Sequence, residues 1–202
     1  MKQLANDPNA EIRSQCSEVL ALIPCEQSEN ILISLLSDTD DLVRANACDS
    51  LNFSHSIITA KKLIPMLLDI NYLVRGYSAL TLADILLNIS ESSLTKRIIL
   101  LLKNNVNVEK CNWVKIAIYR SLVMLGESEY FLPFINMLHS SDYQDRIFVL
   151  NIVDDVNIPK YKEEILKHLI SQNSKETIKH IKQKIQKKLI EISQPDSSII
   201  DN

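Results

Sequence analysis

Residues 38–51 read DTDDLVRANACDSL. An acid opens the stretch, Leu42, Val43 and Arg44 follow, and small residues lead to a leucine at helical spacing. The same phrase begins at Asp7 and again at Asp69. Asp7, Asp38 and Asp69 stand 31 residues apart, and so do Arg13, Arg44 and Arg75. One offset held through three copies is an internal repeat, and a period of about 20–50 residues signals stacked modules.

Working outward, residues 1–7 read as the end of a helix. Leu4 precedes Arg13 by nine residues, as Leu35 precedes Arg44 and Met66 precedes Arg75. The array is therefore expected to begin with half a unit, either trimmed from a longer chain or meeting a partner through that end. Ile12, Cys16 and Leu20 fall on one helical stripe over residues 9–23, which Pro24 closes. Helices are expected over 29–36 and 41–52, then 56–68 and 72–88, with Val43, Ala47 and Leu51, then Val74, Ser78 and Leu82, facing inward. Small residues in the middle of each stripe allow close helix approach.

After Arg75 the period breaks, because 31 residues further on lies Val106, inside a polar segment. The phrase resumes nine residues late, at Trp113, Val114 and Lys115, so helices over 92–102 and 108–125 are lengthened or differently joined. From Lys115 the count of 31 returns and reaches Arg146, then Thr177 within a last pair over 160–170 and 174–192. The expected domain spans 1–193, with a disordered tail at 194–202.

Composition agrees with helices. Two glycines and six prolines are too few for a fold built on tight β-turns, while 46% hydrophobic residues suffice for a continuous core. The net charge of −3 is polarised. Residues 1–159 carry 13 basic and 19 acidic side chains, whereas residues 160–188 carry nine lysines against three glutamates. An acidic body is a poor phosphate binder. The four cysteines show no CxxC spacing, and Cys16 and Cys48 fall on apolar helical positions, so reduced thiols and a cytoplasmic address are expected. No apolar run approaches the ~20 residues that span a bilayer.

The phrases DPNAEIRSQCSEVL, DTDDLVRANACDSL and DINYLVRGYSALTL resemble HEAT-like repeats, of the short type first associated with phycobilisome lyases. The resemblance implies an all-α, right-handed α-α superhelix of about six two-helix units, the first truncated. It also implies a stacking column in which Asp7, Asp38 and Asp69 at the turns bond with Arg13, Arg44 and Arg75 along the array. The physics suits those residue types: an aspartate accepts free N–H groups at a helix start, and an arginine fork bridges carboxylates and carbonyls of two layers. Later units depart from the pattern. Glu109 and Lys115 stand in the fourth, Ser140 and Arg146 in the fifth, Ser171 and Thr177 in the last, and the glycine usual after the second helix is missing.

The second-helix face opposite the packed stripe becomes the concave side in such arrays. Positions −2, +2, +5 and +9 from each arginine point there. They read Glu11, Gln15, Glu18, Leu22; Leu42, Asn46, Asp49, Phe53; Leu73, Tyr77, Leu80, Asp84; Trp113, Ala117, Arg120, Met124; and Gln144, Phe148, Asn151, Asp155. Aromatic and aliphatic residues rimmed by carboxylates are what protein interfaces use. The expected partner-binding residues are Leu73, Tyr77, Leu80, Asp84, Trp113, Arg120, Phe148 and Asp155, with Tyr77 and Trp113 meeting in one patch.

Chemistry is not expected. His55, His139, His168 and His180 are followed by Ser, Ser, Leu and Ile, with no acidic cluster at ligand spacing, so no metal site is foreseen, and no cofactor fingerprint is present. The reading is a non-catalytic protein-interaction scaffold. A nucleic-acid-binding helical repeat, of the architecture of alkylpurine glycosylases, ranks second, because it requires a basic concave surface and this one reads acidic. A lyase-like enzyme ranks third. The lysines of the last helix read as the polar cap that a terminal repeat needs.

Overall fold

The computed structural model describes residues 1–156 and 158–194. Within them every regular element is helical. The helices are α1 (Ala10–Ala21), α2 (Glu26–Leu35), α3 (Asp41–Ser50), α4 (Ile57–Leu63), α5 (Tyr72–Asn88), α6 (Ser92–Val108), α7 (Asn112–Met124), α8 (Phe131–Asn136), α9 (Tyr143–Ile152), α10 (Ile158–Lys175) and α11 (Lys179–Ser193). A 3-10 turn, Leu4–Asn6, stands before α1 where a first helix would be. The expected disordered tail lies, apart from Gln194, outside the described residues.

The chain gathers into two compact units, Met1–Glu127 and Ser128–Asn202. In the first, α1, α3, α5 and α7 pack side by side as a row of second helices, while α2, α4 and α6 support them. Close approach depends on small buried residues: Ser14 and Ser17, Ala45 and Ala47, Ser78 and Ala79, Ala117 and Ser121. Hydroxyls reach across the gaps to neighbouring backbone. Thr81 Oγ1 donates to Cys48 O at 2.9 Å and Ser121 Oγ to Ala79 O at 2.9 Å. A stripe of Val43, Leu51, Leu82, Ile85 and Leu122, each fully enclosed, forms the core beneath. Burying such a side chain is worth about 1.5–3 kcal/mol, so the row is held mainly by apolar packing.

The period break has a simple structural form. Helix α6 runs for 17 residues where its counterpart α2 has 10. The sequence pattern predicts that this helix stops at residue 102, because residues 103–105 are polar. Instead Leu94, Ile98, Leu102 and Val106 continue one buried stripe, and Val106 carries the helix through its last turn. The expected helix over 56–68 is split, because Pro65 has no N–H and the chain continues from α4 as a 3-10 turn, Ile64–Leu68.

In the second unit α8 is short and is flanked by 3-10 turns, Ser128–Tyr130 and Met137–His139. The Phe131 and Tyr161 rings stack at 3.9 Å and join α8 to α10. Helices α10 and α11 are long and amphipathic, with Ile165, Leu169, Ile181, Ile185 and Ile192 buried. Cys16 and Cys48 are buried, Cys111 is half-buried and Cys25 is exposed, all as free thiols. Burial pushes the Cys48 thiol up. No described helix is long and apolar enough to cross a membrane.

Candidate partner-binding surface

The repeat phrase builds a clamp. Asp38 Oδ1 accepts the Asp40 N–H at 2.9 Å, and Asp40 in turn caps α3 by accepting from Leu42 N at 2.9 Å. Asp7 with Asn9 and Asp69 with Asn71 make the same double turn at the starts of α1 and α5. Each arginine, one turn into its helix, then binds in two directions. Arg44 Nη1 donates back to its own turn, to Asp38 O at 2.9 Å and Thr39 O at 3.2 Å. Its Nε and Nη2 grip the next unit's Asp69 at 2.9 and 3.0 Å. Arg13 treats Asp7, Pro8 and Asp38 in the same way.

The clamp continues where the sequence departs from the phrase. Arg75 grips Glu109 at 2.8 and 3.1 Å, the longer glutamate supplying both oxygens. In the second unit Arg146 grips Glu176 at 2.8 and 3.0 Å, five residues beyond Ser171. The Arg13 fork holds the Asp38 carboxyl below its ordinary range. For Asp69, Glu109 and Glu176, burial pushes the carboxyl up, but bonds from the arginine and from backbone N–H groups outweigh it. Glu176 ends at about 2.

Beyond the clamp, α5 and α7 carry six of the residues singled out for binding. The Trp113 indole lies across Gly76, and a Cβ at that glycine would meet ring carbon Cζ3 at 1.9 Å. Tyr77 and Tyr72 meet the same indole edge-on, at centroid separations of 5.1 and 6.0 Å. Trp113, Tyr77 and Leu73 are half-buried, and Tyr72 remains 45% exposed. Leu42, the counterpart of Leu73 on α3, is 49% exposed. Leu80 is half-buried, and its carbonyl accepts from Arg120 at 3.4 Å.

Arg120 itself is buried and binds Asp84 at 2.8 Å. It therefore positions a carboxylate and presents no open cation. One helix over, Asp49 reaches solvent but is crowded by its neighbours. That desolvation raises its carboxyl, and the charges of Asp84 and Glu18 add to the effect. Tyr77 feels burial first and then Asp49, which brings the aromatic cluster up to the carboxylates. Phe148, on α9, and Asp155, in the 3-10 turn Val153–Asp155, belong to the second unit. Phe148 is buried and Asp155 exposed.

Three features are not evident from the sequence pattern. Tyr72 sits three residues before Arg75, just off the chosen face. Gly76 makes room for the indole, and its signal is its rarity, as one of two glycines. In the second unit, His139 Nε2 and His168 Nδ1 share a hydrogen bond at 3.0 Å. His139 Nδ1 meets Gln172 at 2.9 Å, and His168 Nε2 meets Glu164 at 3.2 Å. Only the i, i+4 spacing of Glu164 and His168 is visible in the chain. Among the described residues no three His, Cys, Asp or Glu side chains converge as metal ligands would.

Comparison with known proteins agrees with this architecture. Residues 1–83 match the family model for HEAT repeats. No curated protein sequence matches. Among solved structures, one similar chain comes from the complex of CpcE and CpcF of phycocyanin lyase from Nostoc sp. PCC7120. The two chains share 14% identity with a TM-score of 0.51, over 94% of this chain and 92% of that one. A likeness at that identity speaks for fold alone. With matched HEAT repeats at residues 1–83 and the same arginine clamp returning at Arg146, the chain has a HEAT-like repeat fold.

Proposed function

We propose that this protein is a non-catalytic interaction module that holds a protein partner on the second-helix face of its first unit. The observation that carries the reading is the Trp113, Tyr77 and Tyr72 cluster, half-exposed beside Leu42 and Leu73 and edged by carboxylates. Large rings held rigidly at a surface lose little entropy on binding and act as anchors, while the carboxylate edge steers approach. Helical repeats commonly bind along such extended faces. The solved neighbour is itself part of a two-chain complex, which favours the same kind of role. Nucleic acid fits less well. Lys184 and Lys188 of α11 are already bonded to Asn151 and Asp154, and the proposed face is acidic.

A photo-crosslinking side chain at position 73 tests the proposal in the native cell, beside the same probe at Leu100 on α6. Discrete protein adducts from position 73, lost when Trp113 is replaced by alanine, are expected. Adducts from position 100 alone, or with nucleic acid alone, would overturn the reading.

A further inference from the structure

The same face is chemically two-sided, and its geometry selects a class of partner. Along the row of second helices run two parallel tracks. One is apolar: Leu42 on α3, Leu73 and Tyr77 on α5, and Trp113 on α7, whose indole Tyr77 meets. The other is acidic: Glu18 on α1, Asp49 on α3 and Asp84 on α5. Leu42 and Asp49 lie seven residues apart on one helix, as do Tyr77 and Asp84. At 1.5 Å rise per residue the tracks are about 10 Å apart, the width of one α-helix with its side chains. Neighbouring packed helices are also spaced by about 8–10 Å, which matches two turns of a helix laid across them.

Among the described residues, two of the three acids on this track, Glu18 and Asp49, have no counter-ion. Arg120 is the cation bound to the track, and that charge is spent on Asp84. Glu18 accepts from Asn46, a neutral donor. The Asp49 carboxylate makes no hydrogen bond or ion pair among the described residues. Desolvation raises its carboxyl first, and the charges of Asp84 and Glu18 raise it further.

We infer that the occupant is a basic amphipathic α-helix of a partner protein, with apolar residues at i, i+3 or i+4, and i+7 on the apolar track and Lys or Arg over Glu18, Asp49 and Asp84. This rests on the proposal that the face binds a partner at all, and it names the chemistry of that partner. The chain's own basic amphipathic helix, α11, is excluded, because Ile181, Ile185 and Ile192 are already buried.

The test uses the whole chain and three synthetic helical peptides of about 15 residues. The first carries leucines in that pattern with lysines on one flank, the second has glutamates in place of the lysines, and the third has proline at its centre. Binding is followed by fluorescence anisotropy of a fluorophore on each peptide, so that a variant without Trp113, the one tryptophan in the chain, is read in the same way. The lysine peptide should bind, and the other two should bind at least tenfold more weakly. Asp49→Asn should weaken the lysine peptide about fivefold and flatten its salt dependence. Trp113→Phe should weaken it further while preserving the fold, which circular dichroism verifies. Equal binding of the lysine and glutamate peptides, or indifference to Asp49→Asn, would overturn the inference. If crosslinks form from position 73 in cells while no basic helix binds, the face is a binding surface for another chemistry and this inference alone fails. If neither occurs, both fail.

Discussion

The indole of Trp113 occupies the space that a side chain on residue 76 would fill, so Gly76 is the floor on which that ring lies. Alanine normally favours a helix over glycine by about 1 kcal/mol. Here that gain works against the ring. The indole is the movable end of a half-exposed side chain, so it should swing away while the helices stay in place. Gly76→Ala is therefore expected to red-shift tryptophan emission and abolish partner adducts from position 73. Its melting temperature should lie within a few degrees of the parent. An unchanged emission spectrum would mean the ring does not rest on residue 76.

Removing one clamp should be felt by two units. Arg44→Ala orphans the Asp69 carboxylate and two turn carbonyls together, since one guanidinium serves them all. Unsatisfied groups of this kind cost about 1–3 kcal/mol. Thermal melts beside the exposed Lys61→Ala control measure the difference. Coincident melts would show that the clamp contributes nothing to stability.

The second unit should unfold in acid earlier without its own clamp. Glu176 sits at about 2 in the fold, below its ordinary 4.5. A folded value below the unfolded one stabilises above the unfolded value, and the benefit is lost as pH falls through the folded one. The contribution should thus be complete above about pH 5 and fade toward pH 2. Glu176→Gln should lower stability near neutrality by about 3 kcal/mol or more, because Arg146 is left buried without its counter-charge. Below about pH 2 the variant and parent should converge. Denaturant titrations at several pH values test both limits.

The His139–His168 pair gives a separate signature at milder pH. Burial, then the charge of His139, lowers His168 below its ordinary 6.5, with Glu164 opposing and Lys167 adding slightly. For a histidine lowered in the fold, the unfolded chain takes the proton more readily. Stability should therefore be intact above about pH 7 and decline as pH falls below 6.5. His168→Gln should flatten that part of the profile and leave the carboxylate-driven loss at lower pH. Imidazole chemical shifts followed by NMR would report the two rings directly, and a His168 titration above 6.5 would contradict the account.

The parts of the fold that announce themselves in sequence are those that depend on one-dimensional spacing. Asp38 and Arg44 recur because every unit must repeat the same turn, and Val43, Ala47 and Leu51 recur because every unit buries the same stripe. Helix α6 outruns its sequence signal for the converse reason. Its polar residues 103–105 lie on the outer part of a continuing helix, and Val106 alone keeps the buried stripe alive. The site is partly legible. Register pairs Tyr77 with Trp113, and the rings do meet. Register cannot tell that Arg120 turns inward to Asp84, because burial of a cation depends on a partner from another helix. The histidine pair is invisible for the same reason, as 29 residues and a helix turn separate its rings.

The clamp also sets a rule for editing the chain. Arg13 and Arg44 each look backward to their own turn and forward to the acid 25 residues later. If residues 38–68 were excised and Ser37 joined to Asp69, Asp69 would arrive 25 residues after Arg13, where Asp38 had been. The cut ends would match. A deletion a few residues longer or shorter would instead leave Arg13 facing the wrong residue. The array is thus divisible only at whole-module seams, and its length is a quantity that can be changed in steps without redesigning the joints.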